Sequence, residues 1–342
     1  MDPILVLLHT AADGILARGA LEVVTAGRTL AGVSPFCIGV VGASVDKALP
    51  QLAGCGAAKV LVATGADFAQ PRYATDAAAA EAIAKVAGAK ILLAPHTSRW
   101  ARILPGVAHR LGGAVDTHVT AAADSGQGVA VTRWYYRQRI EANLRRAHRP
   151  WVIAIESGCH EPWKATGAAP SAENVPVVLG DAHRRTTVEG IRGPQGGEQT
   201  IRPEAELLFV TGAGWTKPQA DGKVHLAEAE KLIRGFLAVA KASLGSSKSL
   251  VDLGGEGQAV LPFLTHLHQV GQTGSTPRHA KGLSACCFGE EPHTVGWRFV
   301  GERRAIDLNP ACGWARGKAD VLYVADAFQL VAKVNALLGG AA

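Results

Sequence analysis

The sequence lacks the features that are typical of secreted proteins, of proteins with a structural zinc site and of membrane proteins. Its six cysteines include no CxxC pair, which argues against structural zinc and for a reduced, cytoplasmic protein. No run of about 18 or more apolar residues occurs, so the sequence predicts no membrane span. Residues 1–9 have neither the cationic region nor the cleavage site of a signal peptide, and they are predicted to form a first buried strand.

Charge and composition limit the class of protein further. Charged residues make up 19% of the chain and the net charge is +6, which permits an acidic partner or a phosphate-bearing ligand but does not require nucleic acid. Hydrophobic residues make up 48% of 342 residues, enough for a large core and about two domains. The 40 glycines and 17 prolines follow no three-residue period, which excludes collagen and favours a loop-rich α/β protein.

Strand and helix patterns alternate in the amino-terminal half. Continuous apolar runs predict strands at 4–8, 36–41, 58–63, 90–94 and 151–156. Helical composition predicts helices at 17–30, 45–53, 74–87 and 100–111. Such alternation predicts an α/β fold with a mostly parallel sheet flanked by helices, since strands buried on both faces appear as unbroken apolar runs.

A change of composition separates this half from a second α/β pattern. Residues 158–202 are rich in Gly, Pro, Ser, Glu and Arg and are predicted to be a linker with one or two extended segments. Beyond it, strands are predicted at 206–211, 249–253, 286–288, 304–308 and 321–324, with helices at 225–244 and 328–338. We therefore expect two domains, at 1–190 and 200–342.

Two glycine-rich turns in the second half could bring backbone close to a ligand. Gly212 and Gly214 follow the strand at 206–211, and residues 271–274 place a Gln-Thr pair between two glycines. The turn at 212–214 is not a complete dinucleotide fingerprint, because the third glycine is missing at the required offset. A tight turn without a ligand remains the alternative for it.

The order of these motifs resembles the alpha subunit family of the electron transfer flavoproteins (ETF). The resemblance rests on segments 210–215 (VTGAGW), 245–252 (GSSKSLVD), 270–274 (VGQTG), 289–293 (GEEPH), 305–307 (AID) and 319–320 (AD). In the amino-terminal half, 93–97 (LAPHT) and 104–108 (LPGVA) are similar to stretches of the same family. The resemblance covers nearly the whole chain, and 270–274 is its most specific part.

The resemblance implies a Rossmann-like (adenine-nucleotide-hydrolase-like) amino-terminal domain for subunit docking and an FAD-binding carboxyl-terminal domain. The FAD-binding residues that it implies are Gly212, Gly214, Ser247, Lys248, Gly271, Gln272, Thr273, Gly274, Gly289, His293, Asp307 and Asp320. In the family, the position of Thr273 faces flavin N5, Ser247 and Lys248 lie beside the ring, and His293 hydrogen-bonds near O2. Asp307 matches an Asn, and Asp320 matches an acidic residue on the adenosine side. A donor near N5 and a cation near N1 and O2 favour reduced flavin.

The sequence departs from the family pattern at several of these turns. Trp215 and Lys248 stand where the family has Arg, and Lys keeps the charge without the planar fork. Ser275 replaces a family Lys. Glu290 and Glu291 add negative charge to a phosphate-binding loop in which Pro292 removes a backbone donor.

The function implied by the resemblance is electron transport. The chain is expected to be no enzyme with its own substrate but the FAD-carrying subunit of a heterodimer with an ETF beta-like subunit, taking electrons from a dehydrogenase and passing them to a quinone-linked acceptor. The alternative is a structural or assembly subunit with a degenerate flavin site.

Three further features have functional and structural interpretations. Cys286 and Cys287 could form a redox pair, and the alternative interpretation is that both lie in a buried apolar strand. His266 and His268 could share a strand face, but no third metal ligand is suggested by spacing, so no metal site is predicted. The basic, aromatic stretch 133–149 is interpreted as a solvated edge hairpin or a partner-docking surface rather than a nucleic-acid site.

Overall fold

The computed structural model describes residues 2–136, 140–190, 201–202, 205–252, 259–271, 278–285, 297 and 300–339. The chain divides into two compact units, Met1–Ile191 (unit 1) and Arg192–Ala342 (unit 2). Each unit is built on its own sheet, mostly parallel in unit 1 and parallel in unit 2. The α/β fold class predicted from the sequence is confirmed.

The described elements are numbered in chain order. The strands of unit 1 are β1 (Ile4–His9), β2 (Phe36–Gly42), β3 (Lys59–Thr64), β4 (Ile91–Pro95), β5 (Ala114–Asp124), β6 (Val129–Tyr135), β7 (Ile140–Arg145), β8 (Trp151–Ile155) and β9 (Ala172–Asn174). Its helices are α1 (Arg18–Ala31), α2 (Ala48–Gln51), α3 (Tyr73–Val86), α4 (Ser98–Arg110) and α5 (Asp181–Arg184). The strands of unit 2 are β10 (Leu207–Thr211), β11 (Ser243–Ser246), β12 (Lys281–Ala285), β13 (Glu302–Asp307) and β14 (Val321–Val324). Its helices are α6 (Leu226–Ala240), α7 (Lys248–Asp252), α8 (Gly313–Lys318) and α9 (Ala327–Gly339).

The sheet of unit 1 is covered on both faces. Its strand order is β7-β6-β5-β8-β4-β1-β2-β3-β9. Along β1, Ile4, Val6 and Leu8 pack with α1, whereas Leu5 and Leu7 pack with α3 and α4 on the opposite face. Successive side chains of a strand point to opposite faces, so a strand buried on both sides must be apolar throughout.

The sheet continues past β8 through β5 into the edge hairpin formed by β6 and β7. Strand β5 runs parallel to β8 but antiparallel to β6, and β6 pairs antiparallel with β7. The pairing register of β5 shifts between Asp116 and Ala121, around His118. His118 has φ 55°, a left-handed conformation that is uncommon outside glycine. This irregularity is a β-bulge, which changes the direction of the side chains that follow it.

Asp116 is the centre of a buried polar network in this edge. Its carboxylate, with no exposed side-chain surface, accepts hydrogen bonds from Trp151 Nε1 at 2.9 Å and from Arg133 at 2.7 Å. Arg146 also pairs with it. Burial alone would raise the pKa of Asp116. The hydrogen bonds from Arg146, Trp151 and Arg133 outweigh this effect, so the pKa of Asp116 lies below its usual value.

This network changes the interpretation of the basic stretch 133–149. The stretch includes the β6–β7 hairpin at the sheet edge, as one of the alternatives predicted. Its Arg133 and Arg146 turn inward to Asp116, and Arg149 pairs with Asp2 at 2.7 Å. Three of its arginines therefore stabilise unit 1 itself.

The sheet of unit 2 has the order β11-β10-β12-β13-β14, with every described pair parallel. In β10, Phe209 packs with α6 and α9 on one face, and Leu208 and Val210 pack near Trp297 on the other. The long helix predicted at 225–244 instead ends at Ala240, because Lys241 adopts a left-handed conformation with φ 49°. Strand β11 follows.

One other prediction in unit 2 needs correction, and one is not tested. The strand predicted at 249–253 is wrong over 249–252, which belong to the short helix α7. The strand of this region is β11, a few residues earlier, where Ser243 to Ser246 are fully buried beside β10. The strand predicted at 286–288 lies outside the described residues, and β12 ends just before it. No helix among the described residues is long and apolar enough to cross a membrane.

Candidate functional site

The carboxyl edge of the unit 2 sheet gathers most of the described residues that the resemblance implicated. Thr211, the last residue of β10, is level with Ser246 of β11 and with Ala285 of β12. Asp307 ends β13 at the same edge. Because parallel strands end together, the loops that follow them converge here, and this is where open α/β sheets bind ligands.

The turn after β10 is packed rather than open. Gly212 leads into a single 3₁₀ turn, Ala213–Thr216, that contains Gly214. Trp215 in this turn is 1% exposed, donates a hydrogen bond from Nε1 to the Ala285 carbonyl at 3.0 Å, and packs on the Phe328 ring at 4.7 Å. At the position of the family's Arg, this chain therefore holds a core side chain.

The turn after β11 holds the polar side chains nearest to β10. Ser247 is fully buried, its N–H donates to the Thr211 carbonyl at 2.8 Å, and its hydroxyl accepts from the Leu250 N–H at 3.3 Å. Lys248 begins α7 with a side chain that is 63% exposed and lies 3.4 Å from Asp252. Ser247 thus shapes the turn, and Lys248 supplies a positive charge at its surface.

Gly271 and Ser246 give this edge two features that suit a bound group. Gly271 has φ 117°, a conformation that side-chain-bearing residues rarely adopt. The Ser246 hydroxyl is buried and has no hydrogen-bond partner among the described residues. Since buried hydroxyls are nearly always hydrogen-bonded, this part of the edge fits a polar ligand, whereas the Trp215 turn does not fit a phosphate.

The two aspartates of the resemblance lie at opposite edges of the sheet. Asp307 is 4% exposed at the carboxyl edge, and its Oδ1 accepts from the Asn309 N–H at 2.8 Å. Asp320 precedes β14 and therefore lies at the amino edge, where it accepts from the Arg303 N–H at 2.7 Å and pairs with its guanidinium at 3.0 Å. The structure does not bring Asp320 together with the other residues.

Several predicted residues lie outside the described parts of the chain: Gln272, Thr273, Gly274, Gly289 and His293, together with Cys286 and Cys287. The histidine pair 266 and 268 lies in a 3₁₀ turn rather than on a strand. His268 is buried with Nδ1 near the Thr265 N–H at 3.1 Å, and His266 is 65% exposed and 3.6 Å from Asp252.

The unit 2 sheet also borders an apolar cavity of about 580 Å³. Phe236, Leu283 and Val331 line it on the helical face, and Lys281 and Glu302, at the amino ends of β12 and β13, lie at its rim. None of the described residues that the resemblance implicated lines this cavity.

One cluster was missed by the sequence patterns altogether. His96, His118 and Glu156 bring three possible metal-ligand atoms within 4.8 Å of one another in unit 1. Burial alone would raise the pKa of Glu156. The hydrogen bonds from His118 and His96 outweigh this effect and lower the pKa to about 2. His96 and Glu156 each directly follow a buried strand, the one signal that could have indicated them.

Comparison with known proteins supports the amino-terminal half of the resemblance. Residues 4–180 match the family model of the electron transfer flavoprotein domain. No curated protein matches the chain. The family match ends before the residues implicated in FAD binding, and it does not distinguish an alpha from a beta subunit. It spans more than half of the 342 residues, and the chain belongs to the electron transfer flavoprotein family.

Proposed function

We propose that the chain is the FAD-binding alpha subunit of an ETF-like heterodimer. The observation that carries the proposal is the carboxyl edge of the unit 2 sheet, which joins an unsatisfied buried hydroxyl at Ser246 to a left-handed Gly271. The family match over residues 4–180 supports the electron-transfer role. In this proposal the chain has no substrate of its own, and its partner is an ETF beta-like subunit.

Four described residues would hold the cofactor at this edge. Ser246 and Ser247 offer hydroxyls, Gly271 lets the backbone approach closely, and Lys248 brings a cation to the surface. Bound FAD would supply a ring that accepts electrons from a dehydrogenase and releases them to a quinone-linked acceptor. The protein's part is to bind that ring, to orient it and to adjust the charge around it.

We also propose a cytoplasmic location. Among the cysteines described by the structure, Cys37, Cys55 and Cys312 are free thiols. Free thiols of this kind are usual in a reducing compartment.

The proposal is tested by co-expressing the chain with an ETF beta-like subunit and measuring FAD per heterodimer by its visible absorbance. We expect about one FAD, and we expect Gly271→Ala to reduce it severalfold, because Gly271 has φ 117° beside the proposed site. Gly222→Ala is the matched control, since Gly222 also has a positive φ (74°) but lies in a loop with open space around the added Cβ. Equal FAD loss in both variants would contradict the site.

The alternative is a structural or assembly subunit of the same family with a degenerate flavin site. Trp215 favours it, because this side chain fills the turn where the family has an Arg and bonds to the end of β12. A colourless heterodimer that assembles normally would support this alternative against the electron carrier.

The charge of Lys248 gives a second test of the flavin proposal. We expect Lys248→Ala to lower the flavin midpoint potential, because a nearby cation favours the reduced form. Since the side chain is 63% exposed, solvent screening limits the effect to about 10–40 mV for a one-electron step. Redox titration measures it, with Lys231→Ala on the exposed side of α6 as the control. A midpoint changed equally by both variants would remove Lys248 from the site.

A further inference from the structure

The carboxyl edge of the unit 1 sheet carries a cluster that the proposed flavin site does not use. His96 follows β4, Glu156 follows β8, and His118 lies in β5. Strands β4, β8 and β5 are neighbours in the sheet, and β8 is parallel to both of the others. Val119, next to His118, is level with Ile155 at the end of β8, so the three side chains meet at this edge.

Two distances within the cluster are close to those between ligands of one metal ion, and all three ligand atoms lie within 4.8 Å of one another. Glu156 Oε2 lies 3.0 Å from His118 Nδ1 and 3.3 Å from His96 Nδ1. The two imidazole rings are 4.3 Å apart at an angle of 67°. A zinc ion bound at ~2.0–2.1 Å in tetrahedral geometry places its ligand atoms ~3.3 Å apart. The three side chains could therefore take up an ion with small movements.

The backbone holds these residues in place from both sides. The His96 N–H donates to the Ile155 carbonyl at 2.7 Å, and the Glu156 N–H donates to the Val119 carbonyl at 2.7 Å. His118 has the left-handed φ of the β-bulge, which departs from the regular alternation of β5. These two main-chain bonds join β4 to β8 and β8 to β5 immediately beside the cluster.

The third histidine of this region has other partners. His9 Nε2 lies 3.1 Å from Thr97 Oγ1, and its Nδ1 lies 3.1 Å from the Thr10 carbonyl oxygen. Both of its ring nitrogens are engaged, so His9 supports α4 through Thr97, the N-cap residue of that helix. The ligand set is therefore two imidazoles and one carboxylate.

We propose that His96, His118 and Glu156 form a binding site for a divalent transition-metal ion of the zinc type. Two imidazoles and a carboxylate are a common ligand set for such ions, and three protein ligands leave a coordination position for water or another ligand. His118 is 48% exposed, whereas His96 and Glu156 are 16% and 24% exposed. Solvent therefore reaches the cluster from the His118 side. The site is independent of the proposed flavin function, because its ligands all belong to unit 1.

Without metal, the same arrangement is a hydrogen-bonded His–Glu–His cluster in which both Nδ1 atoms donate protons to one carboxylate oxygen. A divalent ion would bind at the two Nδ1 atoms in place of those protons, and each neutral imidazole would then carry its proton on Nε2. The two interpretations differ in one measurable property, because only the metal site binds Zn²⁺ stoichiometrically through these three residues.

The test is titration of the chelator-treated full chain with Zn²⁺ by calorimetry and with Co²⁺ by visible spectroscopy. We expect one ion per chain and a Co²⁺ band typical of nitrogen and oxygen ligands. His118→Asn should weaken binding at least about tenfold, and Asn tolerates the left-handed backbone that other residues resist. Glu156→Gln removes the ligand charge at nearly constant size and should weaken binding similarly.

His109→Ala is the matched control, since it removes an exposed imidazole from the last turn of α4 in the same unit. Circular dichroism establishes that each variant is folded. Binding that is absent in the wild-type chain, or that falls equally in the His109→Ala and His118→Asn variants, would overturn the site and leave the hydrogen-bonded cluster. Neither result bears on FAD content, which is measured separately on the heterodimer.

Discussion

Replacing Asp116 by Asn should lower the free energy of unfolding by about 3–5 kcal/mol. The Asp116 carboxylate has no exposed side-chain surface and is paired with Arg133 and Arg146. Removing the carboxylate charge leaves the largely buried Arg133 guanidinium uncompensated, and breaking a buried ion pair in this way costs about this much. The network also fixes Trp151, the first residue of β8, through its indole N–H.

The measurement is denaturant unfolding of the full chain, with Asp124→Asn as the control on the same strand. Asp124 is exposed at the end of β5, so its variant should change stability by no more than about 0.5 kcal/mol. The pKa of Asp116 is lowered in the folded protein from the usual value of 3.8. Its contribution is therefore present above that pH and is lost as the pH falls through the lower folded pKa. The difference between wild type and Asp116→Asn should shrink only in this acid range, and a difference that shrinks near neutral pH would contradict the assignment.

The parts of the fold that the sequence predicted well are those whose burial leaves a strong local pattern. Strands β1, β2, β3, β4 and β8 are apolar on both faces, and each was predicted within one or two residues. Strands β5, β6 and β7 are buried on alternate residues at most. Their sequences contain charged residues and lack the continuous apolar run that indicates a buried strand. Their pairing depends on Asp116, whose partners Arg133 and Arg146 are distant in sequence.

The boundary between α6 and β11 shows a different limit. The composition of 225–244 favours a helix to its end, but the left-handed Lys241 stops it, and Ser243 to Ser246 then pair with β10. Pairing with a buried neighbouring strand outweighs helix propensity in so short a segment, as tertiary context commonly does. The prediction of a strand at 249–253 was displaced by the same few residues.

Site residues could be predicted from the sequence only where they belong to one short, local motif. Gly271 was indicated by its glycine-rich turn, and its φ of 117° is a conformation that favours glycine. The cluster of His96, His118 and Glu156 is assembled from three strands, and His118 and Glu156 are 38 positions apart in the sequence, so no short motif marks it. Asp320 was grouped with Asp307 by the family order, although strand direction puts them at opposite edges.

Replacing Trp215 by Ala should lower the free energy of unfolding of unit 2 by about 3–5 kcal/mol. Trp215 is 1% exposed, contacts Phe328 of α9 and bonds to the Ala285 carbonyl at the end of β12. Loss of a fully buried indole removes apolar contact and leaves a cavity, and that carbonyl loses its donor. The measurement is hydrogen exchange on peptides from β10 and β12, which reports the stability of unit 2 alone. A global unfolding curve would combine the signals of both units.

Two further Trp215 variants separate packing from ligand binding. Trp215→Phe keeps most of the apolar contact and loses the hydrogen bond, so it should cost clearly less than Trp215→Ala. Trp215→Arg restores the residue of the flavoprotein family but places a guanidinium where an indole is packed against Phe328, so we expect it to be at least as destabilising as Trp215→Ala. A Trp215→Arg chain that is as stable as the wild type and binds more FAD would contradict this. It would mean that the turn after β10 can open into a phosphate-binding turn, and that its packed form is one of two states rather than a fixed part of the core.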